Sequence, residues 1–394
     1  MNEFFSLFLT QPLSLAFSIF GRFWFVWLPP LSVVLFVETY LYKIRFDFIK
    51  GLKWTILEIK LPRDITKSPR AMEVFLSALH QTRDGNLIDK YLKGFLRAWF
   101  VLEIIGINGE VHFFMYVQDF FRNLVEAQLY AQYPNVEIVP AVDYVNAANF
   151  ENLEEWSMWG AELGLTAEDA YPIRTYIDYD LHNLAVEEDQ QKTDPITAFL
   201  EFLGSLRQGE QVWFQILVRA TKKDWKEETK KLLEKLAMIK PGATPEEQAS
   251  APRQAQLNLE TIKTIQRINS KLGFDVGIRA MYIAKKELFN PANIAALLAT
   301  TKNYGAVNLN GFKPAKTTTI DYFFKQTREA RLKKKMLNAY RQRSYFYLPR
   351  ARQSFILSSE ELATIYHFPG RVAETPTFAR VEAKKGEPPQ TLPI

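Results

Sequence analysis

The chain has 394 residues, more than one ordinary hydrophobic core accommodates, so two or three domains are expected. Hydrophobic residues make up 47% of it, which is typical of folded proteins and argues against global disorder. The absence of cysteine excludes disulfides, thiolate metal sites and cysteine nucleophiles, and is consistent with a reducing compartment. The net charge of +5 is modest, so the placement of the charges carries more information than their sum.

Residues 1–50 predict a membrane anchor. Between residues 4 and 41 the only charged side chains are Arg22 and Glu38. The best span runs from Phe23 to Tyr42, which is long enough to cross a hydrocarbon core of roughly 30 Å. A single span is the leading interpretation. The alternatives are a hairpin that also uses residues 4–20, and helices that lie in the membrane interface.

The flanks of this segment predict its orientation. Four basic residues follow the span closely, and the excess of Lys and Arg places that side in the cytoplasm. These residues are Lys43, Arg45, Lys50 and Lys53. The expected location is therefore the inner (cytoplasmic) membrane, with the bulk of the chain cytoplasmic.

Residues 51–148 predict a first α+β unit. Short alternating segments rich in β-branched and aromatic residues favour strands, and Ser-Pro or Asn-Gly pairs mark helix starts and turns. The order of elements is β-α-β-β-α-β, which is typical of a ferredoxin-like unit. The predicted elements are a strand at 54–60, a helix after Ser68-Pro69, strands at 96–105 and 110–117 around Asn108-Gly109, a helix at 119–132 and a strand at 136–142.

Residues 149–318 predict a second, looser copy of the same pattern, with a helical insertion at 222–272. Asp194-Pro195 and Asn290-Pro291 repeat the helix start seen at Ser68-Pro69. The predicted elements are strands at 159–165, 211–219, 274–284 and 306–312, helices after the two proline starts, and insertion helices at 224–239 and 256–271. The predicted fold class is therefore α+β, with a transmembrane segment followed by two tandem ferredoxin-like units.

Residues 319–394 predict a C-terminal basic helical segment. It comprises a helix at about 319–343, a short helix at 358–366 and an extended tail from 371. Between residues 325 and 352, Glu329 is the only acid. The candidate polyanion-binding residues are Lys325, Arg328, Arg331, Lys333, Lys334, Lys335, Arg341, Arg343, Arg350 and Arg352.

Aromatic residues lie among these cations, at Tyr340, Tyr345, Phe346 and Tyr347. Cations beside aromatic rings suit single-stranded nucleic acid, because phosphates meet the cations while bases stack on the rings. The same residues suit an anionic lipid surface. A solvated helix face is the third interpretation, and the pattern does not separate the three.

No motif for catalysis or cofactor binding is present. The glycines form no phosphate-binding loop and no nucleophile elbow, and the four histidines show no zinc-ligand spacing. The acidic residues Asp178, Asp180, Glu187, Glu188 and Asp189 fit no calcium-loop template and favour a solvated linker. The prediction is a non-enzymatic protein without a cofactor or metal.

Several longer phrases resemble a bacterial family of uncharacterised membrane-anchored proteins linked to conjugation and type IV secretion. They are LEIKLPRDITKSPRAMEVFLSALH at 57–80, RNLVEAQLYAQYP at 122–134, EDAYPIRTY at 168–176, GEQVWFQILVR at 209–219, LSSEELATIYHFP at 357–369 and EAKKGEPPQTLP at 382–393. The resemblance implies a region that precedes a hexameric DNA-translocating motor ATPase of the coupling-protein type. Since the chain stops at Ile394, where that motor would begin, either the motor is supplied in trans or the chain is a truncated form.

The resulting hypothesis is a membrane-anchored, non-catalytic component of a DNA-transfer apparatus that docks a motor ATPase. Its expected partners are the membrane, the motor ATPase, single-stranded DNA or anionic lipid, and further copies of itself. One alternative is a membrane-tethered adaptor that binds nucleic acid or anionic lipid without a motor partner. Another is a hydrolase or transferase that uses carboxylates not evident as a pair.

Overall fold

The structure is a computed structural model, and it describes most of the chain. The described residues are 21–62, 67–182, 193–222, 225–236, 253–321, 323–347 and 351–370. The predicted hairpin partner at 4–20, Arg350 and the extended tail from 371 lie outside them, as do Glu187, Glu188 and Asp189 of the acidic loop.

The described residues form ten α-helices and nine strands. The helices are α1 (Trp24–Gly51), α2 (Pro69–Ala78), α3 (Leu87–Tyr91), α4 (Arg122–Gln132), α5 (Thr197–Gly204), α6 (Trp225–Leu236), α7 (Arg253–Asn269), α8 (Pro291–Thr301), α9 (Lys325–Arg341) and α10 (Ser359–Ile365). The strands are β1 (Trp54–Lys60), β2 (Phe100–Ile107), β3 (Glu110–Gln118), β4 (Glu137–Pro140), β5 (Trp156–Leu165), β6 (Glu210–Ala220), β7 (Gly273–Lys285), β8 (Phe312–Thr317) and β9 (Phe355–Ser358).

Two compact units divide the chain. The first comprises Met1–Leu52 with Asp84–Leu96, and the second comprises Lys53–Arg83 with Arg97–Ile394. Helix α1 and the short helix α3 therefore belong to the first unit. The whole sheet and the remaining helices belong to the second.

Helix α1 is the one described helix that is long and apolar enough to cross a membrane. Its 28 residues include Pro29 and Pro30 and none of them is buried. At 1.5 Å per residue it is about 42 Å long, which exceeds the hydrocarbon core. The exposed side chains are mostly Val, Leu, Phe and Trp, the residues expected on a surface that faces lipid.

The second unit contains a mixed α/β fold built on one antiparallel sheet. Its strand order is β4-β1-β3-β2-β6-β7-β5-β8, and β9 pairs with the first residues of β7. Strands β2 and β6 pair from Phe100 opposite Val218 to Ile107 opposite Gln211. This pairing joins the strands before residue 148 and those after it into a single sheet.

The sheet has a hydrophobic core on each face. In β6, Val212 and Phe214 belong to one core and Trp213 to the other, because successive side chains of a strand point to opposite faces. Helices α2, α4, α5, α8 and α10 contribute to the first core. Helix α9 and residues 144–150 contribute to the second, so β6 and β7 are buried at almost every position.

Local signals in the sequence correctly located several element ends. Asn108 and Gly109 have φ values of 55° and 88°, the left-handed pair that a type I′ hairpin requires. The Asn290 side chain accepts from the amide of Ala292 at 3.0 Å and caps α8. The helical insertion between β6 and β7 is present as α6 and α7.

The strand predicted at 306–312 was wrong in position, since β8 begins at Phe312. Residues 306–311 are held as a loop by Asn310, which is 1% exposed. Its Oδ1 accepts from the amide of Ala167 at 2.9 Å, and its Nδ2 donates to the carbonyls of Glu168 and Tyr171 at 3.0 Å. These bonds tie the loop to another loop, so the backbone can pair with β5 only after Gly311.

Candidate functional site on helix α9

The C-terminal half of α9 is seated on the sheet. Met336, Leu337, Ala339 and Tyr340 are buried, and the Tyr340 ring lies 5.2 Å from that of Trp213 in β6. The N-terminal half contributes no buried residue. The helix therefore projects from the sheet with its first three turns largely in solvent.

Six of the ten predicted cations lie on this projecting part, and five of them are exposed. They are Lys325, Arg328, Arg331, Lys334 and Lys335, while Lys333 is half-buried. Spacing of three and four residues places Arg328, Arg331 and Lys335 on one face, away from Met336 and Tyr340. The predicted acid within the stretch, Glu329, accepts from the amide of Ile320 at 3.2 Å and so fixes the chain that enters the helix.

The cations near the C-terminal end of α9 have structural roles. Arg343 is 1% exposed, which leaves it without access to a polyanion in this fold. Arg341 pairs with Glu151 at 2.5 Å, and Arg352 lies 3.2 Å from Glu162. Arg350 lies outside the described residues. The nine described candidates thus divide into six cations on the projecting part of α9, among them Lys325 at 3.4 Å from Asp321, and three cations paired with carboxylates elsewhere in the fold.

Arg343 is the centre of a buried ion-pair network. Its Nε and Nη2 donate to the Glu103 carboxylate at 2.9 and 3.2 Å, and its two Nη atoms donate to Asp143 at 2.8 and 2.9 Å. Burial alone would lower the pKa of Arg343, but the Glu103 carboxylate and the bonded Asp143 outweigh it and raise the pKa well above its usual value. The guanidinium therefore stays charged and holds the end of α9 against β2.

Polar residues extend this network to the helix itself. Gln215 of β6 donates from Nε2 to Glu103 at 2.8 Å and to the Tyr340 carbonyl at 3.2 Å. The hydroxyls of Tyr144 and Tyr340 lie 2.8 Å apart, and that of Tyr144 donates to Glu103 at 3.0 Å. Burial raises the pKa of both tyrosines well above the usual value, so both remain neutral.

A cleft of about 350 Å³ lies beside β5 and β8, near the end of this network. Its carboxylates are engaged. Glu162 accepts from Arg279 at 3.4 Å and from Arg352 at 3.2 Å, and Asp169 accepts from the amide of Ile356 at 3.1 Å. Both carboxylates therefore take part in contacts that hold the fold together.

The aromatic residues interleaved with the predicted cations are also used by the fold. Tyr340 and Tyr345 are buried, and burial raises the pKa of Tyr345 to about 12. Phe346 and Tyr347 face the guanidinium of Arg219 at 4.5 and 5.1 Å. The predicted stacking surface for bases is therefore engaged within the protein.

A different aromatic pair is exposed at the start of α9. Phe323 is 89% exposed and Phe324 is 80% exposed, and they precede the cationic face directly. Sequence reasoning missed them, although an aromatic pair immediately before a basic run is visible in the sequence. Exposed apolar rings beside cations are a combination that binds anionic surfaces.

Buried carboxylates form a second polar cluster, around the start of α10. Lys271 donates to Glu73 at 2.7 Å, and Arg267 donates to Glu360 at 3.1 Å. Glu361 accepts from the amides of Ser358 and Ile173, and burial raises its pKa to about 7. The cluster fastens α10 to α2 and α7.

Metal ligands are not grouped anywhere in the described part of the chain, where no three His, Cys, Asp or Glu could hold an ion together. In the acidic loop, Asp178 pairs with Arg267 at 2.9 Å, and Asp180 lies 3.6 Å from His182. These contacts give the two described acids of that loop partners within the protein.

Comparison with known families assigns the chain. A family model described as a domain of unknown function, DUF8128, matches residues 47–381. The chain belongs to the DUF8128 family. The DUF8128 match begins at Asp47 within α1 and takes in the whole sheet and α9. No curated protein matches the chain. The resemblance to conjugation and type IV secretion proteins stays a prediction.

Proposed function

We propose that this protein is a membrane-anchored, non-catalytic adaptor whose helix α9 binds a polyanion. The observation that supports this is the division of the basic stretch. Carboxylates elsewhere in the fold hold Arg341, Arg343 and Arg352. The cations from Lys325 to Lys335 lie instead on the projecting part of α9, where Lys325 makes a local contact with Asp321 and Arg328, Arg331 and Lys334 are exposed. A rigid, solvated row of cations is suited to phosphate groups.

Polyanion binding by α9 is tested with three substitutions of exposed cations. The variant R328Q/R331Q/K334Q removes three charges while keeping good helix formers. Each lost phosphate contact should reduce the salt dependence of single-strand binding by about 0.7, so the slope falls by about two. The matched control is K226Q/K230Q/K231Q on α6, where the three lysines are also exposed but lie beside Glu227 and Glu228. Equal affinities of the two triple variants for DNA and for acidic vesicles would contradict the proposal.

The two halves of the sheet support two tandem ferredoxin-like units. In strands β1–β4 the order is fourth, first, third, second, and strands β5–β8 have the same order. In both halves a helix follows the first strand and the third strand. This is the arrangement of a split β-α-β unit, and in this proposal the second strands of the two units pair side by side.

The proposed location is the inner membrane, with the sheet in the cytoplasm. The length and apolar surface of α1 support it, as does the basic flank after Tyr42. Deletion of residues 1–42 should release the remainder into the soluble fraction. If residues 43–394 still sediment with membranes after a high-salt wash, residues 1–42 are not the sole anchor.

The proposed context is a DNA-transfer or secretion apparatus in which this protein docks a motor ATPase supplied in trans. The resemblance of the quoted phrases supports this context. The experiment is purification of the full chain from its native host after mild crosslinking. Recovery of a hexameric ATPase supports the context, and its absence under conditions that retain other membrane partners contradicts it. The purified chain itself should not hydrolyse ATP.

A second candidate function is an adaptor for anionic lipid or nucleic acid without a motor partner. The exposed pair Phe323 and Phe324 favours the lipid form, because apolar rings gain free energy by entering the headgroup region. The variant F323S/F324S separates the two ligands. Loss of binding to acidic vesicles with DNA binding retained favours lipid, and the reverse result favours nucleic acid.

A further inference from the structure

The short helix α3 in the first compact unit presents an unusually apolar face to its surroundings. Leu87 is 73% exposed, Ile88 58%, Tyr91 50% and Leu92 64%. Ile88, Tyr91 and Leu92 follow Leu87 by one, four and five residues, which places all four side chains on one side of α3. Four large exposed apolar side chains within six residues form a surface that proteins normally cover.

Hydrogen bonds at both ends fix the conformation of the segment around α3. The Asn86 side chain accepts from the amide of Asp89 at 2.8 Å, and Asp89 accepts from that of Asn86 at 3.2 Å, so a complete capping box starts the helix. Its far end turns back through a hydrogen bond from the Phe95 amide to the Asp89 carbonyl at 2.8 Å. The apolar face is therefore fixed in one orientation.

Contacts within the first unit place this segment against the C-terminal end of α1. The rings of Phe95 and Phe48 lie 5.5 Å apart. Gly94 has a φ of +66°, and a Cβ there would lie 2.4 Å from the carbonyl oxygen of Ile44. Glycine is required at this position because the two backbones touch.

The height of these contacts along α1 corresponds to the membrane interface. Ile44 and Phe48 follow the predicted end of the span, Tyr42, by two and six residues. At 1.5 Å per residue they lie about 3 and 9 Å beyond the hydrocarbon core. The headgroup region is roughly 5–8 Å thick on each side, so the contact at Ile44 falls within it and that at Phe48 lies at its outer edge. The segment that carries α3 is therefore attached to α1 at the level of the interface.

The charged residues near α3 are paired with one another, which suits a segment in the membrane interface. Lys90 pairs with Asp84 at 2.6 Å and Lys93 pairs with Asp89 at 2.9 Å, which neutralises the lysines of the segment. The apolar residues therefore form a face without unpaired acids between them. Helices of this kind lie in the interface plane with the apolar side toward the acyl chains.

We propose that α3 is an interfacial helix, and that Leu87, Ile88, Tyr91 and Leu92 insert into the headgroup–acyl boundary of the bilayer that α1 crosses. The inference rests on the proposed membrane anchoring. It adds a second, in-plane attachment, which fixes the rotation of α1 about its own axis and its height in the bilayer.

Depth-dependent quenching tests this placement, and the natural absence of cysteine makes single labels straightforward. The full chain is reconstituted in vesicles of phosphatidylcholine and phosphatidylglycerol, with an environment-sensitive fluorophore at L92C or I88C. We expect quenching by nitroxide on the lipid headgroup or the upper acyl chain, and loss of quenching by aqueous iodide. The control is V307C, which is fully exposed in the second unit and should show the opposite pattern.

A third label, V34C in the middle of α1, distinguishes the two ways of failing. If a nitroxide placed deep on the acyl chain does not quench V34C, the anchoring proposal itself fails. If it quenches V34C while L92C and I88C remain as open to iodide as V307C, anchoring stands and the interfacial placement is overturned. Protection of L92C from both iodide and lipid nitroxides would also overturn it, because a protein partner or a second copy would then cover the face.

Discussion

Replacing Arg343 with methionine should destabilise the second compact unit severely. Methionine keeps an unbranched side chain but removes the charge, so Glu103, which is 0% exposed, loses its cation. Removing one partner of a buried ion pair costs about 3–5 kcal/mol, because the remaining charge stays desolvated. The ratio of folded to unfolded protein should therefore fall by about two to four orders of magnitude.

Urea unfolding of the full chain in detergent, followed by tryptophan fluorescence, measures this loss. The buried Trp213 lies in the same core as Tyr340 and reports on the affected region. The matched control is R328M, which removes a cation from the exposed face of the same helix and should leave the unfolding midpoint almost unchanged.

A second substitution tests the cause. In the variant E103Q/R343M the carboxylate is neutral, so part of the stability lost in R343M should return. Asp143, which is 27% exposed, keeps its contact with water. An R343M midpoint equal to that of R328M, or no recovery in the double variant, would refute the idea that a buried charge pair holds α9 in place.

Three further outcomes follow from other parts of the fold. Burial raises the folded-state pKa of Glu361 to about 7, so its contribution to stability is present below pH ~4.5 and is lost as the pH rises to about 7. The unfolding free energy of the natural chain relative to E361Q should accordingly fall across that interval, and a constant difference would contradict the assignment. The variant G94A should loosen residues 84–96 in hydrogen exchange, since its Cβ would meet Ile44, whereas G51A, with open space around it, should not. Asn310→Ala should cost about 1–3 kcal/mol in urea unfolding, because buried backbone groups around the loop lose their partner.

The sequence alone was sufficient for features that depend on neighbouring residues. The apolar run of α1, the Asn108-Gly109 turn and the Asn290-Pro291 helix start each act within a few residues, so their patterns are visible before folding. The order of most strands and helices followed from the same local periodicities, but the short elements α3 and β9 were not predicted. The predicted position of an element was wrong where a distant residue decides it. Strand β8 is the example, because its start depends on hydrogen bonds from Asn310 to a loop some 140 residues earlier in the chain.

Tertiary structure alone decided how the two halves of the sheet combine and which cations of the basic stretch are exposed. Strand β2 pairs with β6, and β9 pairs with β7, through backbone groups that carry no sequence signal. In the basic stretch Arg328 and Arg343 are indistinguishable by type. Arg343 is buried because Glu103, 240 residues away, lies beneath it, and Arg328 is exposed because nothing in the described part of the fold covers its turn of α9. Charge patterns are local, whereas the desolvation that gives each charge its role is set by contacts between distant residues.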